Sequence, residues 1–409
     1  MEAGMKKIDR LLITFVEQHL SSIAFLFLTL LSIVIRLKFI RFVDFNNGMT
    51  DYKDALLPWI NLYKAFGFVN GLAMEIGDYY IPYNLFLAVI SQFNIEPYYP
   101  IVILSSIFDY LIVFAVYKIS RLLLNSGSVH SPLFSVVKNS DIKCFAVVFS
   151  LLPMVIINSS VFKQCDSIYT AFLLWSLYFF LCKKYSVSFI FIGLAFSFKL
   201  QALFLFPFLI IAYFRTKEFS IAHFFWIPII FVLAGLPAIL CGRPALETYT
   251  VYLDQTSAYH SMFMNFPSIY AIGMTEQKVF FSLAFIILMT LFVLAFIYII
   301  RSKKEISALT WLYLAAWCFH TCVEFLPNMH ERYDYFPIIL LTFIMLIWRK
   351  QIIIPVCILH LISACTYGKC LNDFQLNYPL LSGIYFAAYL WLSLDLFGLL
   401  KSETPSVSS

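Results

Sequence analysis

Charged side chains are scarce in this sequence. Asp, Glu, Lys and Arg make up 12% of its 409 residues, against about 25% in a water-soluble domain. So little charge excludes a fold that meets water on every side. Cysteine pairing is missing as well: there are nine cysteines, an odd number, and no two stand as CxxC. Most lie inside apolar runs, where cysteine acts as a small apolar side chain, so neither a disulfide framework nor a zinc site is expected. No small-x-small cleavage site follows the apolar stretch after Lys6, Lys7 and Arg10, which predicts an uncleaved first helix. There is no internal repeat and no low-complexity tract. The net charge of +5 is split into short basic clusters between apolar runs. That is a membrane-topology pattern, not a nucleic-acid footprint.

What the sequence has in quantity is hydrophobic residues, 62% of the chain. They come in long runs without strand-like alternation, which favours helices. A spanning helix needs about 20 apolar residues, and in lipid each segment must close its own backbone hydrogen bonds. The expected fold is an all-α polytopic membrane protein, one domain over 1–409, with about 12 transmembrane helices. They are placed near 18–41, 99–123, 143–160, 167–182, 186–199, 201–214, 221–240, 279–300, 306–326, 335–348, 351–366 and 380–400. The tightest junction is at Lys199–Gln201, where two helices meet almost without a loop.

Lys and Arg set the orientation. With both termini in the cytoplasm, nearly every inside turn carries a basic pair, among them Lys183-Lys184, Arg215/Lys217, Lys303-Lys304 and Arg349-Lys350. The stretch 79–93 would reverse every later turn if counted as a span. It is short and contains Pro82, so it is read as an interfacial helix with Tyr79 and Tyr80 at the headgroup level. The first outer loop then runs over 42–98 and is helical, while 124–142 is a cytoplasmic linker and 401–409 a cytoplasmic tail.

This topology gathers chemistry on one face. The first loop carries Asp44, Asp51, Asp54, Glu75, Asp78 and Glu96. Lys163, Gln164 and Asp166 stand at a helix mouth, Lys199 and Gln201 at the next outer turn, and His330, Glu331, Arg332 and Asp334 in a late one. Ionisable groups at such depth suggest a site. Carboxylates can take a proton from an attacking hydroxyl, and Arg, Lys and His can stabilise a departing phosphate. Each residue also has a plainer explanation. Asp51 and Asp54 suit a solvated helix face, Lys199 a snorkelling cation, and His330-Glu331-Arg332 a charged helix cap. Asp109 and Asp395 suit polar contacts between helices; Arg36 either faces lipid phosphates or ends a helix. His330-Glu331 lacks HExxH spacing and is no zinc motif.

Five segments in order carry a resemblance. MTDYKDALLPW (49–59) and GDYYIPYNLFL (77–87) resemble the first outer loop of GT-C glycosyltransferases, in the bacterial branch related to GPI-anchor mannosyltransferases. KQCDSIYTAFLLWSLYF (163–179) looks like that branch's WGQxDS-type segment. GLAFSFKLQALFLFPFL (193–209) is similar to its Gly-rich helix ending in a lysine-glutamine turn, and PNMHERYDYFP (327–337) to its MHERY segment. The chain departs from the pattern in having Phe162-Lys163 for Trp-Gly, Cys165 after the glutamine, and Thr50 before the aspartate.

The resemblance implies a membrane glycosyltransferase that moves a sugar from a polyprenyl-phosphate donor to an acceptor hydroxyl on a glycan, lipid or protein, by inversion, on the outer face of a bacterial cell membrane during surface-glycan or glycolipid assembly. Asp51 would be the catalytic base, with Asp54 competing for the role. Asp166 would line the acceptor or donor pocket, and Lys199, His330 and Arg332 would hold the lipid phosphate. Gln164 and Tyr333 would be pocket residues, Glu331 would orient His330 or Arg332, and Asp78 and Gln201 would complete the substrate-binding set. Some GT-C enzymes use a divalent metal, Mg or Mn, and others none; no metal ligand is assigned here. The competing functions are a lipid-linked oligosaccharide flippase and a polysaccharide polymerase.

Overall fold

The structure, a computed structural model, describes residues 2–42, 51–126, 141–258, 261–273, 278–372 and 375–401. Asp44, Lys138, nearly all of the 124–142 linker and the tail beyond Lys401 lie outside them. Among the described residues every regular element is helical. They run α1 (Glu2–Phe39), a π-wound turn (Tyr52–Leu56) leading into α2 (Leu57–Phe66), α3 (Phe68–Ala73), α4 (Ile81–Ile90), α5 (Tyr98–Asn125), α6 (Ile142–Val148), α7 (Pro153–Ile156), α8 (Asp166–Leu181), α9 (Tyr185–Phe198), α10 (Phe206–Thr216), α11 (Trp226–Leu240), α12 (Ala245–Ala258), α13 (Lys278–Arg301), α14 (Ala308–Phe325), α15 (Tyr335–Ile347), α16 (Ile353–Asn372) and α17 (Tyr378–Leu400).

Six stretches are long and apolar enough to cross a membrane: Lys6–Phe39, Tyr98–Asn125, Ile221–Leu240, Phe280–Arg301, Lys350–Leu371 and Tyr378–Leu400. A seventh forms if Ile142–Leu151 and Pro153–Val161, bent by 57° where Pro153 cannot continue the ladder, count as one span. The chain is a polytopic helical membrane protein. Each of the twelve expected segments is helical, but the others fall short as spans: α14, with 18 residues, is long enough but less apolar, and the rest are too short. Asp166–Leu181, Tyr185–Phe198 and Tyr335–Ile347 have 16, 14 and 13 residues; at about 1.5 Å per residue these cover roughly 20–24 Å of a core about 30 Å thick.

Burial sorts the helices. α1 and α13 leave Leu11, Phe15, Phe27, Phe285, Ile286 and Leu294 more than half exposed. A patch that large in water would be an interaction surface, whereas hydrocarbon makes it an ordinary outer face. By contrast, every residue from Leu309 to Phe325 in α14 is buried, so α14 lies in the middle of the bundle. α8 packs along α5 and α9, and the chain turns sharply from α8 into α9 at Lys183 (φ 59). Ser176 and Ser188 then meet across the helix pair at 2.9 Å.

Three expectations need correction. Tyr80 does not reach a headgroup layer: it is fully buried, stacked 4.0 Å from Phe231 with its hydroxyl donating to the Phe231 carbonyl at 2.8 Å. α4 is accordingly not a helix resting on a surface; it packs against α2 and α11, and its ten residues cannot span. Arg36 neither faces lipid nor only ends α1, because its guanidinium pairs with Asp109 at 2.9 Å in a buried contact. Asp109 and Asp395 do bridge helices, the latter by pairing with Arg349. One helix, α12, has no counterpart in the sequence reading, because its mixed apolar and polar residues carry no clear period.

Candidate active site

Four breaks in the helical bundle supply the site. The first is the entry to α2, where Asp51 precedes the π-wound turn. The second is the turn before α8. Here Lys163 adopts φ 56, a left-handed conformation that favours glycine, which is the residue the resembled pattern has there. Its buried ammonium donates to the carbonyls of Ser160 (2.8 Å) and Val161 (3.3 Å), the C-terminal end of the preceding turn, where a cation is favoured. The Ser105 hydroxyl donates to the Gln164 carbonyl at 2.7 Å, fixing this turn on α5. Asp166 then opens α8, with its negative charge at the helix N-terminus. The third break is Lys199, where α9 stops in an extended residue and the chain resumes as a 3-10 turn, Leu200–Leu205. The fourth is the loop between α14 and α15, which carries His330 to Tyr333.

Arg332 joins these breaks. Its Nη2 lies 2.7 Å from Asp51 Oδ2, its Nη1 2.6 Å from Glu331 Oε1, and its Nε 3.5 Å from Asp166 Oδ2. Lys199 pairs with Asp166, and its ammonium sits 5.4 Å from the centre of the Tyr333 ring. Gln164 Nε2 donates to Asp51 Oδ2 at 2.7 Å, and Tyr79 donates to Gln164 Oε1 at 3.3 Å. His330 Nδ1 is 3.8 Å from Glu331 Oε2, so Glu331 holds Arg332 more closely than His330.

These contacts decide the charges. Burial acts to raise the Asp51 pKa, but Arg332, His330 and Lys199 together with the Gln164 hydrogen bond outweigh it and hold the carboxyl below its usual range. Burial and the neighbouring Asp51 charge push Asp78 the other way, upward. Arg332 is stabilised as a cation, its three carboxylate neighbours overcoming the effect of burial. Burial and Arg332 bring His330 down to about 4. At neutral pH His330 is therefore an uncharged hydrogen-bonding group.

Asp51, Asp78, Lys199, His330, Arg332 and Tyr333 all line one small pocket of about 120 Å³. Asp51 is its open carboxylate, with the side chain 44% exposed. Gln164 and Asp166, expected in the pocket wall, lie one layer beneath it, 1% and 0% exposed. From there they set the positions of Asp51, Lys199 and Arg332. Asp54 is exposed and does not line the pocket. The turn after Asp51 is wound with i→i+5 bonds, so three residues fall short of a full turn, and it is Ala55, not Asp54, that shares the face of Asp51.

Beside this pocket runs an apolar groove of about 290 Å³, with Leu203, Phe204, Phe281, Phe285, Leu326 and Met329 in its walls. Leu200, Gln255, His330 and Tyr333 line both spaces, so the two are adjacent. Gln201 lies on the groove side, and its Oε1 has no hydrogen-bond partner among the described residues. Because Phe285 is 52% exposed on α13, a spanning helix, the groove meets the lipid-facing surface. Among the described residues no three His, Cys, Asp or Glu side chains are grouped as metal ligands; the carboxylates of the site face Arg332 and Lys199.

Sequence reasoning missed three contributors. Asn158 donates to Asp166 Oδ2 (2.9 Å) and to the Tyr367 hydroxyl (2.8 Å); the polar triplet Asn158-Ser159-Ser160 inside an apolar run was its only signal. Tyr79 had been placed at a headgroup layer, and Gln255 belongs to the missed helix α12. Neither protein-family models nor curated proteins yield a match to this chain.

Proposed function

We propose that this protein is a GT-C type membrane glycosyltransferase that moves a sugar from a polyprenyl-phosphate donor to an acceptor hydroxyl, with inversion, on the outer face of a bacterial cell membrane. The observation that carries this reading is that the ionic pocket and the apolar groove adjoin, sharing His330 and Tyr333 in their walls. A lipid-linked sugar phosphate has these same two halves. The isoprenoid would lie in the groove, and its phosphate would reach Arg332 and Lys199. If the twelve helical segments all cross with both termini inside, as the Lys and Arg distribution supports, the four breaks of the site would face outward.

In the proposed reaction the acceptor oxygen attacks the anomeric carbon from the side opposite the phosphate. The new glycosidic C–O bond forms as the old one breaks, and the bonding pair leaves with the lipid phosphate. Arg332 and Lys199 face that developing charge at fixed positions, so little reorganisation is needed. Asp51 accepts the hydroxyl proton. A carboxylate held below its usual pKa still serves, because the attacking hydroxyl becomes strongly acidic once its new bond is forming. Asp78, which lines the same pocket, is suited to hydrogen-bond the sugar.

The 57° break between α6 and α7 favours a second reading, since interrupted helices mark substrate sites in transporters. The two readings separate by product. Purified protein incubated with a panel of polyprenyl-phosphate sugars and analysed by mass spectrometry should yield a new glycoside and free polyprenyl phosphate. Asp51→Asn should reduce that yield by roughly 10²–10⁴-fold with unchanged expression and elution. Movement of lipid-linked sugar across vesicles without any new glycosidic bond would establish the flippase instead.

A further inference from the structure

The apolar groove that adjoins the charged pocket is lined by Phe281 and Phe285, near one end of α13. At the other end, 16 residues on, α13 finishes at Arg301, roughly 24 Å away along the helix axis. There α13 meets the last turn of α17. The Tyr298 hydroxyl donates to the Phe397 carbonyl at 3.2 Å and the Ser302 hydroxyl to the Leu400 carbonyl at 3.0 Å. These bonds hold two helix ends together and leave a groove of about 670 Å³ between them.

The two parts of this groove differ in character. Toward the middle of the span its wall is Leu294, Ile297 and Tyr298, which are 60%, 40% and 39% exposed. At its rim stand Arg301, Lys303 and Lys401, all exposed. Among the described residues none of these three cations takes part in an ion pair. Glu305, an exposed acid in the same connection, is not paired with them either. Arg215 donates to the Lys304 carbonyl at 2.8 Å, so Arg215 and Lys304 add further positive charge to the same connection.

We propose that this groove is a binding site for an anionic glycerophospholipid of the leaflet opposite the charged pocket. The acyl chains lie along Leu294, Ile297 and Tyr298, and the headgroup phosphate meets Arg301, Lys303 and Lys401. Basic pockets between helix ends are suited to acidic headgroups. Here the apolar wall and cationic rim stand in the order that a phospholipid presents its own parts to the membrane edge. A soluble phosphate would have no use for the apolar wall, and a zwitterionic lipid would not neutralise three cations. Bound there, the lipid would join α13 and α17, so it would stabilise the far end of the helix that also lines the groove beside the pocket. The inference does not depend on what reaction the protein catalyses.

The test is native mass spectrometry of the full chain, released from detergent with equal amounts of dioleoyl phosphatidylglycerol and dioleoyl phosphatidylcholine. The wild-type chain should retain the anionic lipid at least fivefold more than the zwitterionic one. Lys303→Gln should reduce that preference several-fold, and the triple variant Arg301→Gln/Lys303→Gln/Lys401→Gln should remove it. A control with the same charge loss, Lys6→Gln/Lys7→Gln/Arg10→Gln on the exposed start of α1, should leave the preference in place. Equal retention of both lipids by the wild-type chain would overturn the proposal. So would an unchanged preference in the groove variants, or an equal loss in the α1 control, which would mean diffuse attraction to a basic surface.

Discussion

At the scale of single residues, the site depends on a guanidinium shared among carboxylates. Removing Arg332 leaves the buried Glu331 without its cation, while Asp166 keeps Lys199, and breaking a buried pair in this way costs about 3–5 kcal/mol. Arg332→Gln should therefore lower the apparent Tm as well as activity. Arg332→Lys should keep the charge but lose the simultaneous bonds to Asp51 and Glu331, since an ammonium cannot reproduce the planar fork. Its apparent Tm should fall less than that of Arg332→Gln, and comparing the two unfolding curves checks this.

His330 carries a pH signature. Its folded pKa of about 4 lies below the ordinary 6.5, so between these values the unfolded chain binds the extra proton. Its contribution is present above about pH 6.5 and is lost progressively down to about pH 4. A difference of that size is worth roughly 3 kcal/mol. Asp51, also depressed, acts in the same sense but lower, below its ordinary 3.8. Thermal unfolding between pH 4 and 7 should show a smaller acid loss in His330→Gln than in wild type; parallel curves would count against a buried neutral imidazole.

At the scale of elements, one contact joins three helices. Arg36 on α1 pairs with Asp109 on α5, and the Tyr335 hydroxyl at the start of α15 donates to Asp109 Oδ1 at 3.2 Å. Tyr335 follows Arg332 by three residues, so this contact fixes the loop that carries the guanidinium. α1 is otherwise largely exposed, with 11% of its spanning window buried, and the pair is its main polar hold on the bundle. Arg36→Ala and Asp109→Ala should each cost about 3–5 kcal/mol, whereas the apolar double replacement Arg36→Met/Asp109→Leu should recover most of the loss. A double-mutant cycle on apparent Tm measures this. Additive losses would mean that the two side chains do not act as a pair.

At the scale of the whole molecule, the orientation is open to a direct check. With the native cysteines replaced, Asp54→Cys should react with a membrane-impermeant maleimide from outside intact cells. Lys303→Cys should react only after permeabilisation. The reverse pattern would turn the site toward the cytoplasm and remove the outer-face assignment.

Much of this molecule is legible without coordinates, and the reason is the solvent. Hydrocarbon compels each apolar run to satisfy its own backbone, so helices follow from composition and run length alone, and the break at Lys199 falls where the sequence places a polar pair between two apolar runs. The ends of those helices concentrate Asp51, Lys199 and Arg332, which is why the candidate residues could be named from their positions. The sequence did not determine which charge meets which. Arg332 and Asp51 are 281 positions apart, and Arg36 and Asp109 are 73 apart. No local period relates such residues; their meeting depends on how whole helices pack. The burial of Tyr80, the position of Asp54 outside the pocket and the surroundings of His330 likewise follow only in three dimensions, because each depends on what the neighbouring helix places against it.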